Sequence, residues 1–424
     1  MAQDVPSTHV HRAPQRPDGG RRRPALVCAF PRSLALALPD SGTVIGRAWL
    51  AEQGLADTEV SGSHVRIDRA GGSLRVADAG SRNGTWVNGA RLGPEDLVSL
   101  DDGGVLRLGR TIFVARDHLP GSLEQAPPVG ALVGPYGLRT VAHALAGLAR
   151  SHPRNVLIEG ETGVGKELLA RAVAAAVDRD EPFGAINAAG VPAGVFESQL
   201  FGHVAGAFSG AGAAAQGVVV AHAGGTLFLD EIGELDLALQ AKLLRLLENR
   251  EVLPVGAERP VQVDVLIVAA SNRNMEEMVE SGAFRRDLYT RLAMARIRVP
   301  PLRERREDIF SLACVLAERA DASLDAEQVE VEAMERLLLE PWPGNVRQLD
   351  GALAEARRLD TEPGLHLWAL EEVLGPAPSI QTTLTRELVE AAVQAAGGNV
   401  TAAAKQLGVS RGKLLRLRKG EQKK

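Results

Sequence analysis

The stretch "NVLIEGETGVGKELLARAVAAAV" (155–177) limits the fold more than any other part of the chain. Strand-like apolar sequence, NVLIE, runs into a glycine-rich turn, GETGVGKE at 160–167, and then into a segment of helical periodicity. Glycines at such a turn let backbone N–H groups approach phosphate oxygens, and a lysine opening the helix can reach the β and γ phosphates. Gly160, Glu161, Thr162, Gly163, Val164, Gly165, Lys166 and Glu167 are therefore candidate nucleotide-binding residues. Glu167 stands where Ser or Thr more often supplies a hydroxyl to Mg²⁺.

A second apolar strand, "GGTLFLDE" (224–231), ends in two carboxylates. Acids at the carboxyl end of a parallel strand lie where ligands bind in open α/β sheets. Asp230 is suited to hold Mg²⁺ through water, and Glu231 to orient or deprotonate an attacking water. Alone, the pair would read as a helix-capping acid beside a solvated glutamate; the upstream lysine loop tips it toward catalysis. Strands and helices alternate from 131 to about 300, with "LQAKLLRLLEN" (239–249) a clear helix, the texture of a parallel α/β sheet.

At 424 residues the chain has room for two to four domains. Hydrophobic residues make up 45% and charged ones 24%, the balance of a soluble globular protein, and with 4% aromatics the cores must be Ala, Leu and Val. A net charge of −5 argues against nucleic acid coating the whole surface and leaves local patches open. Cys28 and Cys314 have no metal-site spacing and read as buried thiols in a reducing cytosol, so a cytoplasmic location is expected. "RRRPALVCAFPRSLALALP" (21–39) superficially resembles a secretion signal, but Pro31 and Arg32 break its apolar run. No membrane span is expected.

By texture, residues 1–24 are a disordered tail rich in Pro, Arg and Gly. Residues 25–118 alternate short apolar segments with Gly, Ser, Asn and Asp turns, as an all-β sandwich does. A linker at 119–130 leads to the α/β region (131–300), a helical region follows (301–374), and a second linker (375–382) precedes a basic helical end (383–424). Within the α/β region "GHVAGAFSGAG" (202–212) carries a lone aromatic, Phe208, among glycines and alanines. Neither a buried strand nor an ordinary exposed loop accounts for it.

Taken in order, "GETGVGKE", "ESQLFGHVAGAFSGA", "GGTLFLDEIGEL", "AASN", "FRRDLYTRL", "PPLRERREDI" and "WPGNVRQL" resemble the AAA+ domain of bacterial enhancer-binding proteins, the ATPases that activate sigma-54 RNA polymerase. In that family the nucleotide loop commonly ends in Lys-Glu, which accounts for Glu167. The resemblance implies that Asn187 switches Glu231 between states, that Asn272 senses the γ-phosphate, and that Arg347 of the lid contacts nucleotide in its own subunit. It implies arginine fingers at Arg285 and Arg291, supplied to a neighbour, and hence a homo-oligomer running from dimer to hexameric ring. Gly206, Ala207, Phe208, Ser209, Gly210 and Ala211 become the sigma-54 contact, with Ser209 where the family usually has Thr. Two further departures are Ala188, where Cys is usual, and Leu266, where Arg is common.

"VIGR" (44–47), "SGSH" (61–64) and "SRNGTWVNG" (81–89) resemble a forkhead-associated (FHA) domain, a phosphothreonine reader. A phosphate dianion calls for arginine, hydroxyl and amide groups converging from loops at one end of a sandwich. Arg47 and Ser61 would contact phosphate, Asn83 the peptide backbone, His64 would brace the Ser61 loop, and Gly84 would permit the turn. Gly62 stands where a basic residue is common. "GGNVTAAAKQLGVSRGKLLRLRKG" (397–420) resembles the Fis-type helix–turn–helix, with Ser410 capping a recognition helix whose Arg411, Lys413, Arg416 and Arg418 would meet double-stranded DNA.

The resemblance as a whole implies a multidomain activator: sandwich, ATPase with helical lid, and helix–turn–helix. Its cofactors would be ATP and Mg²⁺; its partners a phosphothreonine protein, upstream DNA and sigma-54 polymerase. Two other readings stay open at this point, a phosphopeptide-binding scaffold that hardly turns ATP over, and a DNA-binding repressor uncoupled from sigma-54.

Overall fold

Apolar runs of three to six residues, cut by Gly, Asn and Asp turns, fold residues 25–116 into two sheets. In this computed structural model, residues 24–376 are described apart from 39–40, 71–72, 210, 321 and 361, with only 393, 400 and 414 beyond them. The chain forms two compact units, Met1–Ala377 and Pro378–Lys424. The expected disordered tail, the second linker and the helix–turn–helix, with Ser410, Arg411, Lys413, Arg416 and Arg418, lie almost wholly outside the described residues.

The first sheet takes β1 (Ala25–Phe30) and β2 (Leu34–Ala37); β3 (Thr43–Ile45) leads into a short helix α1 (Arg47–Glu52). Then come β4 (Val65–Ala70), β5 (Ser73–Asp78), β6 (Thr85–Val87), β7 (Ala90–Arg91), β8 (Val98–Leu100), β9 (Val105–Leu108) and β10 (Thr111–Arg116). Sheet orders are β2-β1-β10-β9-β6-β7 and β3-β4-β5-β8, with antiparallel pairings. Leu26, Cys28, Ile45, Ile67, Leu106 and Phe113 fill the space between them. Burial pushes the Cys28 thiol up to about 12, so it stays protonated.

The ATPase region opens with α2 (Arg139–Ser151), β11 (Asn155–Glu159) and α3 (Lys166–Ala176), followed by β12 (Phe183–Asn187), α4 (Ala193–Phe201) and a two-residue hairpin, β13 (Gly202–His203) with β14 (Ala215–Gln216). Next are α5 (Val218–Ala221), β15 (Thr226–Asp230), α6 (Leu237–Asn249), a second small hairpin β16 (Glu251–Val252) and β17 (Val261–Gln262), and β18 (Leu266–Ser271). Helices α7 (Met275–Glu280) and α8 (Arg286–Leu292) and strand β19 (Arg296–Arg298) complete it. The five-stranded sheet runs β12-β15-β18-β11-β19, every neighbour parallel. Register sets Asn187 against Asp230 and Glu159 against Ser271, so the carboxyl ends form one row. The lid is α9 (Ile309–Arg319), α10 (Val331–Leu339), α11 (Asn345–Leu359) and α12 (Leu367–Leu374), packed on buried Trp342.

The sandwich is built into this unit. An antiparallel sheet facing water on one side alternates apolar and polar residues. Strands β1, β9 and β10 do not: all but Arg116 of their residues are buried. Their outer face, with Ala29, Phe30, Val105, Ile112 and Val114, packs into the same core as Leu302, Phe310, Leu337 and Trp342 of the lid. A register shift between Cys28 and Phe30 accompanies the turn of Phe30 to this outer side, where its ring meets Phe310 edge-on at 5.0 Å. Charged groups fix the docking: Arg107 pairs with Glu332 at 2.7 Å and Glu335 at 3.0 Å, Arg116 with Glu307, and Arg306 Nη1 donates to the Gly103 carbonyl at 2.9 Å. The expected linker is packed as well, with Leu119 and Val129 buried and the Arg139 guanidinium held by the carbonyls of Pro120, Ser122 and Glu124.

Phe30→Ala opens a cavity between sandwich and lid and should cost about 3–5 kcal/mol. Calorimetry of the full chain should show sandwich and lid melting together in wild type and separately in the variant; unchanged melting would contradict a shared core.

Candidate functional site

Three strand ends, those of β11, β12 and β15, and the lid build one cavity of about 480 Å³. At its floor is the turn after β11. Gly163 (φ +80°) has no room for a side chain, since a Cβ there would lie 2.3 Å from the Gly344 carbonyl of the lid; Gly165 (φ +101°) caps α3. Lys166 is buried, and its ammonium donates to the Gly160 carbonyl at 3.1 Å and sits 3.4 Å from Glu231 Oε1. Glu231 has a left-handed backbone (φ +53°), a costly conformation for a non-glycine residue and one typical of functional positions.

The expected polar groups converge here. Asp230, Glu231, Asn187, Arg347 and Thr162 to Glu167 line the cavity. Asn272 bridges two of them, its backbone N–H reaching Glu231 Oε2 at 3.4 Å and its amide donating to Thr162 Oγ1 at 3.2 Å. Asn187 does not touch Glu231; its oxygen accepts from Ala189 N at 2.7 Å. Burial raises the Asp230 carboxyl above the usual range, opposed by Lys166 and reinforced by Glu231. Gly160 and Glu161 stand at the rim, Glu161 paired with Arg303 at 2.6 Å, which holds its carboxyl low. Arg285 and Arg291 are not brought to this cavity: they sit at α8, paired with Asp287 at 2.9 Å and Glu248 at 3.4 Å.

Two residues that sequence reading passes over close the site. Asn345, wholly buried with φ +52°, donates to Glu161 Oε2 at 3.1 Å and the Thr162 carbonyl at 3.0 Å, and accepts from Leu302 N at 2.8 Å. Arg305, 1% exposed, donates to the carbonyls of Val133 at 3.1 Å and Val164 at 3.4 Å. The lid thus grips the turn directly, with Val346 N on the Gly163 carbonyl at 3.0 Å. Of the noted departures, Ala188 and Leu266 are both buried packing positions, in different clusters.

The Phe208 loop stands between β13 and β14. Residues 206–211 close as a turn (Gly206 N to Ala211 O, 2.8 Å), leaving Phe208 48% exposed and its ring 5.0 Å from that of His203. His203 is fixed by Ser198 Oγ at 2.8 Å and the Ala213 carbonyl at 3.1 Å. The loop between β16 and β17 buttresses it: Val204 N donates to the Val255 carbonyl and Val255 N to the Gly202 carbonyl, and Gly256 lies under Ala207. Gly210 lies outside the described residues.

At one end of the sandwich the loops 46–47, 58–62 and 81–84 meet. A Cβ on Gly46 would fall 1.8 Å from the Gly62 carbonyl, so the loops can meet only over a glycine. Arg47 Nε and Nη2 donate to the carbonyls of Val60 (2.9 Å) and Thr58 (3.0 Å). Ser61 Oγ accepts from Arg82 N at 3.0 Å, which leaves its O–H free to donate, and Asn83 donates to the Glu59 carbonyl at 2.8 Å. His64 Nδ1 accepts from Ser61 N at 3.0 Å, so its other nitrogen carries the proton toward the Gly84 carbonyl at 3.1 Å; Gly84 has φ +87°. Asp78 ties the third loop. Partial burial works to raise its carboxyl, but the Ser81 and Thr85 hydroxyls and the amides of Gly80 and Ser81 outweigh it and hold it low.

Family models match the chain in four places: a sigma-54 interaction domain over residues 137–298, an FHA domain over 43–109, an AAA+ ATPase lid domain over 303–387, and a Fis-family bacterial regulatory protein over 384–419. The regulatory protein LuxO of Vibrio cholerae is 49% identical over 48% of this chain and 39% of its own length. The transcriptional regulatory protein ZraR of Salmonella typhi is 40% identical over 73% of this chain and 74% of its own. The chain spans 57% of another such relative, FlbD of Caulobacter vibrioides, so the share covered varies widely. The crystal structure of NtrX from Brucella abortus in complex with ATP superposes with a TM-score of 0.50 at 30% identity, covering 69% of each chain. Among the described residues no helix is long and apolar enough to cross a membrane. The chain belongs to the sigma-54-dependent transcriptional regulators, with an AAA+ ATPase domain at its centre, an FHA domain before it and a Fis-family helix–turn–helix after it.

Proposed function

We propose that this protein is a cytoplasmic sigma-54-dependent activator in which ATP hydrolysis by an assembled ring drives the Phe208 loop against sigma-54 in a closed promoter complex. The observation that carries the reading is a half-exposed aromatic on a braced hairpin set between α4 and α5. The Fis-type unit, through Ser410, Arg411, Lys413, Arg416 and Arg418, would hold the ring at upstream DNA. The FHA loops would gate it by binding phosphothreonine.

The cavity suits a triphosphate. Lys166 gives up its weak 3.4 Å contact with Glu231 to hold the β and γ phosphates, and backbone N–H groups of 163–166 receive their oxygens. Glu231, released, faces the γ-phosphate side and positions the attacking water, taking its proton as the new bond to the γ-phosphorus forms and the bond from that phosphorus to the bridging oxygen of the departing ADP breaks. Asn272, already on Glu231 and Thr162, reports the γ-phosphate, and Arg347 closes from the lid. The lining balances four basic side chains (Lys166, Arg305, Arg319, Arg347) against four acidic ones (Glu167, Asp230, Glu231, Asp350), so a polyphosphate needs added positive charge. Asp230, whose side chain among the described residues accepts a hydrogen bond only from the Glu231 N–H, fits a Mg²⁺ ligand. When bound, Mg²⁺ would neutralise charge on the phosphates. Arg285 and Arg291 lie away from their own cavity, which supports service to a neighbour's.

Glu231→Gln should bind ATP yet hydrolyse it about 10²–10⁴-fold more slowly in a steady-state assay. Equal, negligible rates in both proteins would support the scaffold reading instead. Phe208→Ala should keep wild-type hydrolysis while open-complex formation with purified sigma-54 polymerase drops at least tenfold. Open complexes at the wild-type level would remove this loop from the mechanism.

A further inference from the structure

The FHA loops and the ATPase lid share one continuous set of contacts, which runs through the buried Asp57. This carboxylate, 7% exposed, sits at the root of the 57–61 loop and receives Glu59 N (2.9 Å), Arg110 N (2.9 Å) and Thr111 Oγ1 (2.8 Å). Gly109, with φ +57°, leaves no slack, since a Cβ there would lie 2.9 Å from Glu59 Cβ and 3.1 Å from both Asp57 oxygens. The Arg110 side chain then leaves the sandwich and donates through Nη2 to the carbonyls of Ala326 and Val329 in the lid, both at 3.1 Å.

Each end of this path meets a binding site. On the sandwich side, Glu59 carries the carbonyl that holds Asn83, and Thr58 and Val60 carry those that hold Arg47. A phosphate dianion competes for the Arg47 guanidinium, because charge-assisted pairing is stronger than a bond to a neutral carbonyl. Turning Arg47 toward phosphate frees the Thr58 and Val60 carbonyls and lets the 57–61 backbone shift. On the lid side, Gln328 and Glu330, which flank Val329, are stitched to Leu365 through backbone bonds (Leu365 N to Gln328 O, 3.1 Å; Glu330 N to Leu365 O, 3.0 Å). Helix α10 starts at Val331 and delivers the chain to Asn345 and Val346, which clamp Thr162 and Gly163 of the nucleotide turn.

We infer that Arg110, anchored by Asp57, couples the phosphothreonine loops to the lid, so that a phosphothreonine peptide and a nucleotide each alter the affinity of the other. The inference rests on the phosphopeptide reading of the FHA loops given above. Coupling between binding sites is reciprocal, and values of 1–3 kcal/mol correspond to about 5–150-fold.

The test uses the full chain, a fluorescent ADP analogue, and a phosphothreonine peptide selected on the chain from a degenerate library, with its unphosphorylated form as control. In wild type, saturating phosphopeptide should change the ADP-analogue Kd at least fivefold, and saturating ADP should change the peptide Kd by the same factor. Arg110→Met keeps the aliphatic stem; it should bind each ligand alone within about threefold of wild type while the mutual shift falls below twofold. Arg306→Met removes a different guanidinium–carbonyl contact of the same interface, to Gly103, and should keep the shift. Wild type binding both ligands with no mutual effect would overturn the coupling and leave the phosphopeptide reading standing. A shift that survives Arg110→Met, or is lost equally in Arg306→Met, would overturn the assignment to Arg110. Selection of no phosphothreonine peptide by a chain that still binds ADP would overturn both.

Discussion

A buried ammonium without full compensation is the constraint around which this molecule is arranged. Lys166 lies among the strand ends with one carbonyl at 3.1 Å and one carboxylate at 3.4 Å. A charge withdrawn from water needs partners of closer geometry than these. The strand order supplies the rest of its surroundings: parallel register sets Asp230 beside Asn187, and Glu231 follows at the next residue in a strained left-handed backbone. In the hydrolysis proposed above, an anion entering the cavity would relieve the lysine and free the glutamate in one event. The pairing of Lys166 with Glu231 would keep that base occupied until nucleotide arrives.

The same sheet and turn are the parts of the fold most legible in the sequence, because their chemistry is local. Phosphate needs bare backbone, so GETGVGKE shows itself; the acids of TLFLDE show themselves by following an apolar strand. The sandwich loops are legible for a similar reason, as Arg47, Ser61 and Asn83 lie within short, distinctive strings. Asn345 and Arg305 are not, since their partners in the nucleotide turn lie more than 140 residues away in sequence and an Asn after Pro-Gly or an Arg among arginines carries no local mark. Asp78 is hidden for a different reason: its partners are close neighbours, in a turn that reads as ordinary.

Docking of the sandwich on the lid left one trace that could have been followed. ALVCAF is apolar at every position and TIFVA at every position after Thr111, whereas a sheet with one wet face would alternate. Such a run says that something covers the second face without saying what. The charges around the seam answer a different question, that of register. Arg116 is deeply buried, which alone would lower its pKa, yet Glu307 beside it and Asp102 raise it overall. Pairs of this kind often add little net stability over an apolar seam, but a slipped seam would leave a buried charge alone, at a cost of several kcal/mol. Apolar area holds the two parts together, and Arg107, Arg110 and Arg116 fix where.

That division bears on why the joint segment Arg305–Asp308 is so densely charged. Arg305 faces the nucleotide turn, Arg306 and Glu307 face the sandwich, and Asp308 accepts from Tyr136 and Gly137 at the entrance to the ATPase core. Four consecutive side chains thus address three different parts of the molecule within a single turn of chain. A segment with that many buried polar obligations cannot relax at one end without unmaking bonds at another. By contrast, the arginines in the role proposed for a neighbouring subunit are held only by exposed pairs with Asp287 and Glu248, which salt screens and which exchange readily. The chain is stiff where its own domains must act together and loosely held where another subunit would have to be admitted.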